Sequence, residues 1–143
     1  MTDKKIIINC DGGSRGNSGQ AAIGVIIKIG NGVKEYSKSI GIATNNEAEY
    51  QAVIFALKKV KQLIGKEIAE KTTIEIRSDS ELMVNQLNGN YKIKEDKLIP
   101  LFIEIWNLRQ DFGEINFIQI PREKNKLADR ALNKELDNRA GLF

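Results

Sequence analysis

Ile6-Ile7-Ile8-Asn9-Cys10-Asp11-Gly12-Gly13-Ser14-Arg15-Gly16-Asn17-Ser18-Gly19 is the stretch on which the reading of the fold turns. It opens as a strand, because three consecutive β-branched isoleucines lose little freedom when extended. The run is continuously apolar rather than alternating, the pattern of a strand covered on both faces and therefore central in its sheet. It stops at an acid. Asp11 is expected where the strand leaves the sheet, with a glycine loop following at once. Glycine lets another molecule's backbone come close, so an acid beside such a loop is well placed to hold a metal against a substrate. The same residues admit a plainer reading, since Asp-Gly is among the commonest hairpin turns.

Outward from this stretch, the totals narrow the choices. The 143 residues, 41% hydrophobic and 29% charged, suit one domain, residues 1–143, with a real core. A net charge of +3 permits a polyanionic partner without demanding one. No apolar run reaches the roughly 20 residues of a transmembrane helix, and Met1–Lys5 carries no signal-peptide core. A cytoplasmic protein is expected, which agrees with the single cysteine, Cys10. There is no histidine. That excludes Ser-His and Cys-His nucleophile pairs and histidine-rich zinc sites. Any chemistry must come from carboxylates, lysines, hydroxyls or a hard metal ion.

Along the chain, Ala21–Ile29 predicts a second strand, the Gly30-Asn31-Gly32 turn a hairpin, and Val33–Ile40 a third strand. Gly41–Thr44 should leave the sheet, with Thr44 or Asn45 capping a helix over Asn46–Ile64. Ala48, Ala52, Val53, Ala56, Leu57 and Val60 form that helix's apolar face, and Gly65 ends it. Thr73–Ser78 predicts a fourth strand, Glu81–Leu87 a short helix and Lys97–Phe112 a longer one, with Ile99, Ile103 and Trp106 expected to be covered in part. Glu114–Ile120 predicts a fifth strand, closed by Pro121. A last helix over Asn125–Asn138 turns Ala128, Ala131, Leu132 and Leu136 inward. The order predicts an α/β fold: a mixed sheet, antiparallel in its first three strands and parallel after them, flanked by helices. Ligands gather at the carboxyl ends of parallel strands in such sheets.

Four acids stand out by placement. Asp11 and Asp79 end strands. Glu49 lies in the first turn of its helix and shares the face of Ala52, Val53 and Ala56. Asp129 shares the face of Leu132 and Leu136. Acids on apolar helix faces are costly without a partner. Converging acids repel one another, and a divalent cation removes that repulsion. Oxygen-only ligands favour Mg²⁺ or Mn²⁺. Two such ions about 4 Å apart can polarise a phosphodiester, activate water and stabilise a leaving oxygen. Each acid also has a plainer role open to it. Asp11 can be a turn residue, Asp79 a helix cap, Glu49 a partner of the helix dipole, and Asp129 a surface ion-pair partner of Arg130, Lys126 or Lys134. These roles predict no shared location.

Four motifs in one order, Asp11–Asn17, Thr44-Asn45-Asn46-Glu47-Ala48-Glu49, Ser78-Asp79-Ser80 and Asn125-Lys126-Leu127-Ala128-Asp129, give the chain its resemblance to the type 1 ribonuclease H family, from Ile6 to Leu136. The resemblance implies a five-stranded ribonuclease H-like sheet and hydrolysis of the RNA strand of RNA/DNA hybrids with two Mg²⁺ ions. It places the catalytic and metal-binding acids on Asp11, Glu49, Asp79 and Asp129. It further implies substrate contacts at Gly12, Gly13, Ser14 and Asn17, and at Thr44 and Asn45 on the hybrid backbone, with Thr44 on a DNA phosphate and Glu49 bridging a metal and a 2′-hydroxyl. Reading 2′-hydroxyls is how a protein tells RNA from DNA. Helix capping is the alternative for Thr44 and Asn45. Lys92 and Lys94 beside Tyr91 can meet phosphate or simply face solvent.

The chain departs from the family pattern twice. Many members carry a histidine in the loop before the last helix, whereas Pro121-Arg122-Glu123-Lys124-Asn125 has none; either Glu123 or Lys124 assists in its place or the enzyme is simply slower, and some relatives lack the histidine too. Asn88–Lys97 is too short for the basic substrate-binding insertion of some members, so weaker and steeply salt-dependent hybrid binding is expected. A monomer without an obligate protein partner or membrane contact is expected. The alternatives are a non-catalytic hybrid-binding module and a nuclease that also cuts duplex RNA. A nucleotide-binding loop is excluded, because the glycines lack Gly-Lys-Ser/Thr and precede a strand.

Overall fold

The computed structural model describes residues 4–140. The expectation of no leader at Met1–Lys5 falls mostly outside them. The elements run β1 (Lys4–Arg15), β2 (Gly19–Ile29), β3 (Gly32–Ala43), α1 (Asn45–Ile64), α2 (Lys66–Ala69), β4 (Thr72–Ser78), α3 (Glu81–Leu87), α4 (Ile99–Arg109), β5 (Glu114–Gln119) and α5 (Lys126–Ala140). The sheet is five-stranded in the order β3-β2-β1-β4-β5, with β1 at its centre. β1–β2 and β2–β3 pair antiparallel, and β1–β4 and β4–β5 pair parallel. The expected mixed sheet is therefore present.

The ends of the elements differ from expectation where they matter most. Asp11 does not close β1. The strand runs on through Gly12, Gly13 and Ser14 to Arg15, paired throughout with β2, and Asp11 itself lies opposite Gly24. What ends is the parallel pairing with β4, whose last register pair is Asn9 with Arg77. Asp11 thus sits in an ordered strand just past the point where β1 and β4 part. Gly12 and Gly13 are neither a hairpin turn nor a loop; the turn comes later, at residues 16–18. β3 likewise continues to Ala43 instead of leaving the sheet at Gly41, by way of a register shift that sets Ala21 against Gly41 and Ala22 against Ser39.

One face of the sheet carries the core. Ile6, Ile8, Cys10, Ile74, Ile76, Ile115 and Phe117 are buried there with Ala52, Val53, Ala56, Leu57 and Val60 of α1 and with Leu98, Ile105 and Phe112 around α4. Tyr50 ties α1 to α3 by donating its hydroxyl hydrogen to Gln86 Oε1 at 2.6 Å. On the other face α5 lies over β2, β3 and β1, burying Ala128, Ala131, Leu132 and Leu136. That second cover is incomplete, so Ile7 is only half-buried. Glu75, its register partner on β4, is buried and held by Lys5 and Arg77.

α4 is shorter than expected. It follows a 3-10 turn at Asp96–Leu98, takes Pro100 in its first turn, and ends at Arg109. Ile99, Ile103 and Trp106 are 46%, 49% and 51% exposed rather than covered. Only the Leu98/Ile105 side of the segment reaches α1. No helix among the described residues is long and apolar enough to cross a membrane.

Candidate active site

The divergence of β1 from β4 opens a cleft of about 520 Å³ lined by Asp11, Glu49, Asp79 and Asp129. Asp11, Glu49 and Asp79 each present a carboxylate oxygen, and these three atoms lie within 4.8 Å of one another. Asp129 lines the same cleft but stands outside that close group. The acids arrive by separate routes. Side chains alternate along a strand, so on β1 Ile8 and Cys10 point to α1 while Asp11 points to the cleft. On β4, Ser78 points to α1 and Asp79, next in the chain, points to the cleft.

Two glycines bring the helices in. A Cβ on Gly12 would stand 2.2 Å from the carbonyl oxygen of Ala48, so α1 rests on bare backbone immediately beside Glu49. A Cβ on Gly24 would stand 2.1 Å from the carbonyl oxygen of Ala128, so α5 rests on bare backbone immediately beside Asp129. Gly12 follows Asp11 in sequence, and Gly24 faces it across the ladder. The glycine residues are there for helix approach as much as for any ligand.

Hydrogen bonds then fix the carboxylates. The Gly12 N–H donates to Glu49 Oε1 at 2.8 Å and to Asp11 Oδ1 at 3.0 Å. The Ser78 hydroxyl reaches Glu49 Oε2 at 3.3 Å. Glu49 lies in the second turn of α1, not the first; the first-turn acid is Glu47, which closes a capping box with Thr44. Ser80, not Asp79, caps α3. Asp79 is therefore free of that structural duty. Asp129 makes no ion pair with Arg130, Lys126 or Lys134 among the described residues; its Oδ1 accepts from Asn133 Nδ2 at 3.1 Å.

The electrostatics follow from burial. Asp11 is 7% exposed and Glu49 8%. Burial first, then the charges of Glu49, Asp79 and Asp129, pushes the Asp11 carboxyl far above the usual carboxylate range. Burial also pushes Glu49 up to about 7, against the hydrogen bonds from Gly12 and Ser78. Asp79 is raised by burial, while Arg122 opposes the shift. Without a cation the cluster must hold protons it would otherwise give up. A close set of hard oxygen donors, destabilised as anions and open to a cleft, fits a Mg²⁺- or Mn²⁺-type ion.

The expected substrate residues divide. Gly12, Gly13, Ser14 and Asn45 line the cleft, whereas Thr44 and Asn17 do not. Thr44 is the α1 cap, accepting from the Glu47 N–H at 3.1 Å. Asn17 Oδ1 accepts from the Asn45 N–H at 2.9 Å, and Asn45 Oδ1 accepts from the Ser14 N–H at 2.8 Å. These side chains buckle the β1–β2 turn to the start of α1. Lys92 and Lys94 belong to a separate groove with Leu82, Gln86 and Tyr91.

Sequence reasoning missed Arg122. With Pro121 it lines the cleft, the one charged residue of the Pro121–Asn125 loop to do so, while Glu123 and Lys124 line a different cavity beside Asn9 and Ile26. The signal was available: β4 and β5 are parallel neighbours, so the residues just past β5 must flank Asp79. Asn125 was missed as a brace. Buried, it donates to the Cys10 carbonyl at 2.8 Å and accepts from Asn9 Nδ2 at 3.2 Å, tying the α5 entry to β1.

Residues 9–135 match the family model described as reverse transcriptase-like. The chain is 36% identical over 153 residues to the ribonuclease H of Clostridium botulinum (strain Hall), covering 94% of this chain and 97% of that relative. It is 36% identical over 136 residues to a bifunctional protein of Mycobacterium tuberculosis (strain H37Rv), covering 93% of this chain but only 36% of that relative's length. Among solved structures, LC11-RNase H1 in complex with an RNA/DNA hybrid superposes with a TM-score of 0.88 at 40% identity, covering 94% of this chain and 99% of that one. By sequence match along most of its length and by fold, the chain belongs to the type 1 ribonuclease H family.

Proposed function

We propose that residues 1–143 act as a single ribonuclease H domain, an endonuclease that hydrolyses the RNA strand of RNA/DNA hybrids with two Mg²⁺ ions, Mn²⁺ serving in their place. The observation that carries this reading is the trio of oxygens from Asp11, Glu49 and Asp79 within 4.8 Å of one another at the parting of β1 and β4. Asp11, Glu49, Asp79 and Asp129 would hold the ions, which supply Lewis-acid polarisation of the phosphodiester and an activated water when bound.

The chain's own groups do the rest. The Gly12 N–H and the Ser78 hydroxyl hold both oxygens of Glu49, so its orientation precedes substrate binding. Gly12 and Gly13 put no side chain between Asp11 and an approaching RNA backbone. Asn45 spends its carbonyl on Ser14 and keeps its amide hydrogens for the substrate. Thr44 accepts the capping bond and retains its hydroxyl hydrogen for a DNA phosphate. The Arg122 guanidinium brings positive charge beside Asp79 where the phosphate must sit. The hybrid complex of LC11-RNase H1 supports the substrate class. A monomer in the cytoplasm completes the proposal, the location resting on the lone, buried, unpaired Cys10.

Hybrid, duplex RNA and duplex DNA incubated separately with Mg²⁺, Mn²⁺ or EDTA test the reading. Cleavage of hybrid alone, dependent on metal and leaving 5′-phosphate and 3′-hydroxyl ends, is expected. Cleavage that persists in excess EDTA contradicts it. Hybrid binding without cleavage in either metal favours the non-catalytic module instead.

A further inference from the structure

Asp129 raises a question that the other three acids do not. Asp11 and Asp79 are placed by strands, and Glu49 by a strand-backbone N–H. Asp129 makes no hydrogen bond to either strand among the described residues, yet it must stand at the right height over Asp11 to share its cleft. We propose that Gly24 and Asn133 are positioning residues for Asp129: Gly24 sets how low α5 sits on the sheet, and Asn133 aims the carboxylate.

The geometry has two parts. At Gly24 the α5 backbone occupies the space of a side chain: a Cβ there would lie 2.1 Å from the Ala128 carbonyl oxygen, 2.9 Å from the Leu132 nitrogen and 3.1 Å from the Ala128 carbonyl carbon. All three are main-chain atoms, so no rotamer change relieves the clash, and the helix must retreat by about 1 Å to restore van der Waals contact. Gly24 is also the register partner of Asp11. The seat of α5 on the sheet and the first acid are therefore one cross-strand pair, and the residue that follows Ala128 is Asp129. At Asn133, one helical turn on, Nδ2 donates to the Asp129 carbonyl at 2.9 Å and to Asp129 Oδ1 at 3.1 Å. Side chains four apart on a helix meet in this way. The bond ties down one oxygen and leaves Oδ2 for a ligand. Asn133 lines the cleft itself, so this brace sits at the site's edge.

The inference rests on the reading of the cleft as a divalent-cation site, and the experiment separates the two. Mn²⁺ is titrated calorimetrically into substrate-free wild type, Asp129→Asn, Gly24→Ala, Asn133→Ala and Asn133→Gln, with thermal unfolding of each recorded alongside. Asp129→Asn should weaken Mn²⁺ binding. Asn133→Ala should weaken it in the same direction by about 10-fold, the scale of lost outer-shell support, with little change in unfolding temperature. Asn133→Gln, which keeps an amide able to reach i−4, should recover most of that loss. Gly24→Ala should weaken binding at least as much as Asn133→Ala. If Asp129→Asn weakens Mn²⁺ binding and Asn133→Ala leaves it at the wild-type value, the positioning role is wrong and the metal reading stands. If Asp129→Asn also leaves it unchanged, both are wrong. Should Gly24→Ala fail to fold, Asn133→Ala and its Gln counterpart decide alone.

Discussion

The two helices that wall the cleft are seated alike and held differently. α1 rests on Gly12 and α5 on Gly24, the chain neighbour and the cross-strand neighbour of Asp11. Each helix presents its acid one residue beyond the carbonyl that fills the glycine's empty space. Beyond that the walls part company. Glu49 is buried, and both its oxygens are engaged by β1 and β4. Its helix begins with a capping box, 20 residues long over the main core. Asp129 is only half-buried and is steadied by a residue of its own helix. The entry to α5 spends Asn125 on β1 rather than on capping itself. Both walls are set by close-packed backbone, but the acid of one is clamped by two strands and the acid of the other by a single bond within its own helix. Close-packed backbone sets position firmly, whereas a single exposed-edge hydrogen bond is worth only about 1 kcal/mol. A site built this way can adjust its outer acid while its inner three stay in register.

The largest effect should come from the acid both walls share. Asp11→Asn is expected to reduce hybrid cleavage by on the order of 10³-fold or more, the several kcal/mol that metal-borne charge stabilisation supplies. It should also raise the thermal stability of the metal-free protein near neutral pH, since the fold no longer has to keep a buried carboxyl protonated well above its ordinary range. Cleavage assays and thermal melts on the same preparation check both halves. Gly12→Ala should come next: with the Ala48 carbonyl oxygen 2.2 Å from the new carbon, a cost of about 2–3 kcal/mol in urea unfolding is expected. An unchanged midpoint would break the picture of α1 seated on the bare backbone of Gly12.

The third prediction concerns pH. In the metal-free fold Asp11 and Glu49 bind their protons more tightly than in the unfolded chain, Glu49 titrating at about 7. Their contribution is therefore fullest below the ordinary carboxylate range and is lost as pH rises, through about 7 for Glu49 and on to about 10 for Asp11. The melting temperature without metal should fall by roughly 5 °C or more between pH 5 and pH 8, and saturating Mg²⁺ should remove most of that fall. A flat profile without metal would contradict the burial argument. The smallest effect is assigned to Arg122. Arg122→Ala should slow cleavage by about 10-fold or less and lower the salt dependence of hybrid binding by about one phosphate's worth. A steady-state series at several salt concentrations measures both.

How much of this was legible in the letters depended on which physical force wrote them. The five strands and the long helix bearing Glu49 follow from strong hydrophobic periodicity, and the parallel neighbours placed Asp11 and Asp79 together. The glycines were harder. Gly12 reads as a chain breaker, yet here it lies within a strand because a helix occupies its missing side chain. Nothing local distinguishes those two uses. Gly24 was visible only as a glycine in a strand, since its reason, Ala128, lies far along the chain. α4 shows the same limit from another side. Its apolar residues run all round, and a sequence does not say which face a neighbour will cover, so Ile99, Ile103 and Trp106 were expected under cover that falls instead on the face of Leu98, Leu101, Phe102, Ile105 and Leu108. Arg122 was passed over for Glu123 and Lys124 because the 3-10 turn at Arg122–Lys124 sends consecutive residues into different cavities.

Two helices set on glycines around Asp11 are proposed to complete a divalent-cation site. Anomalous scattering from crystals equilibrated with Mn²⁺ tests it most directly. A peak is expected within about 2.2 Å of carboxylate oxygens of Asp11, Glu49 and Asp79. No peak in the cleft, or Mn²⁺ held only by residues outside it, would rule out a cation site there.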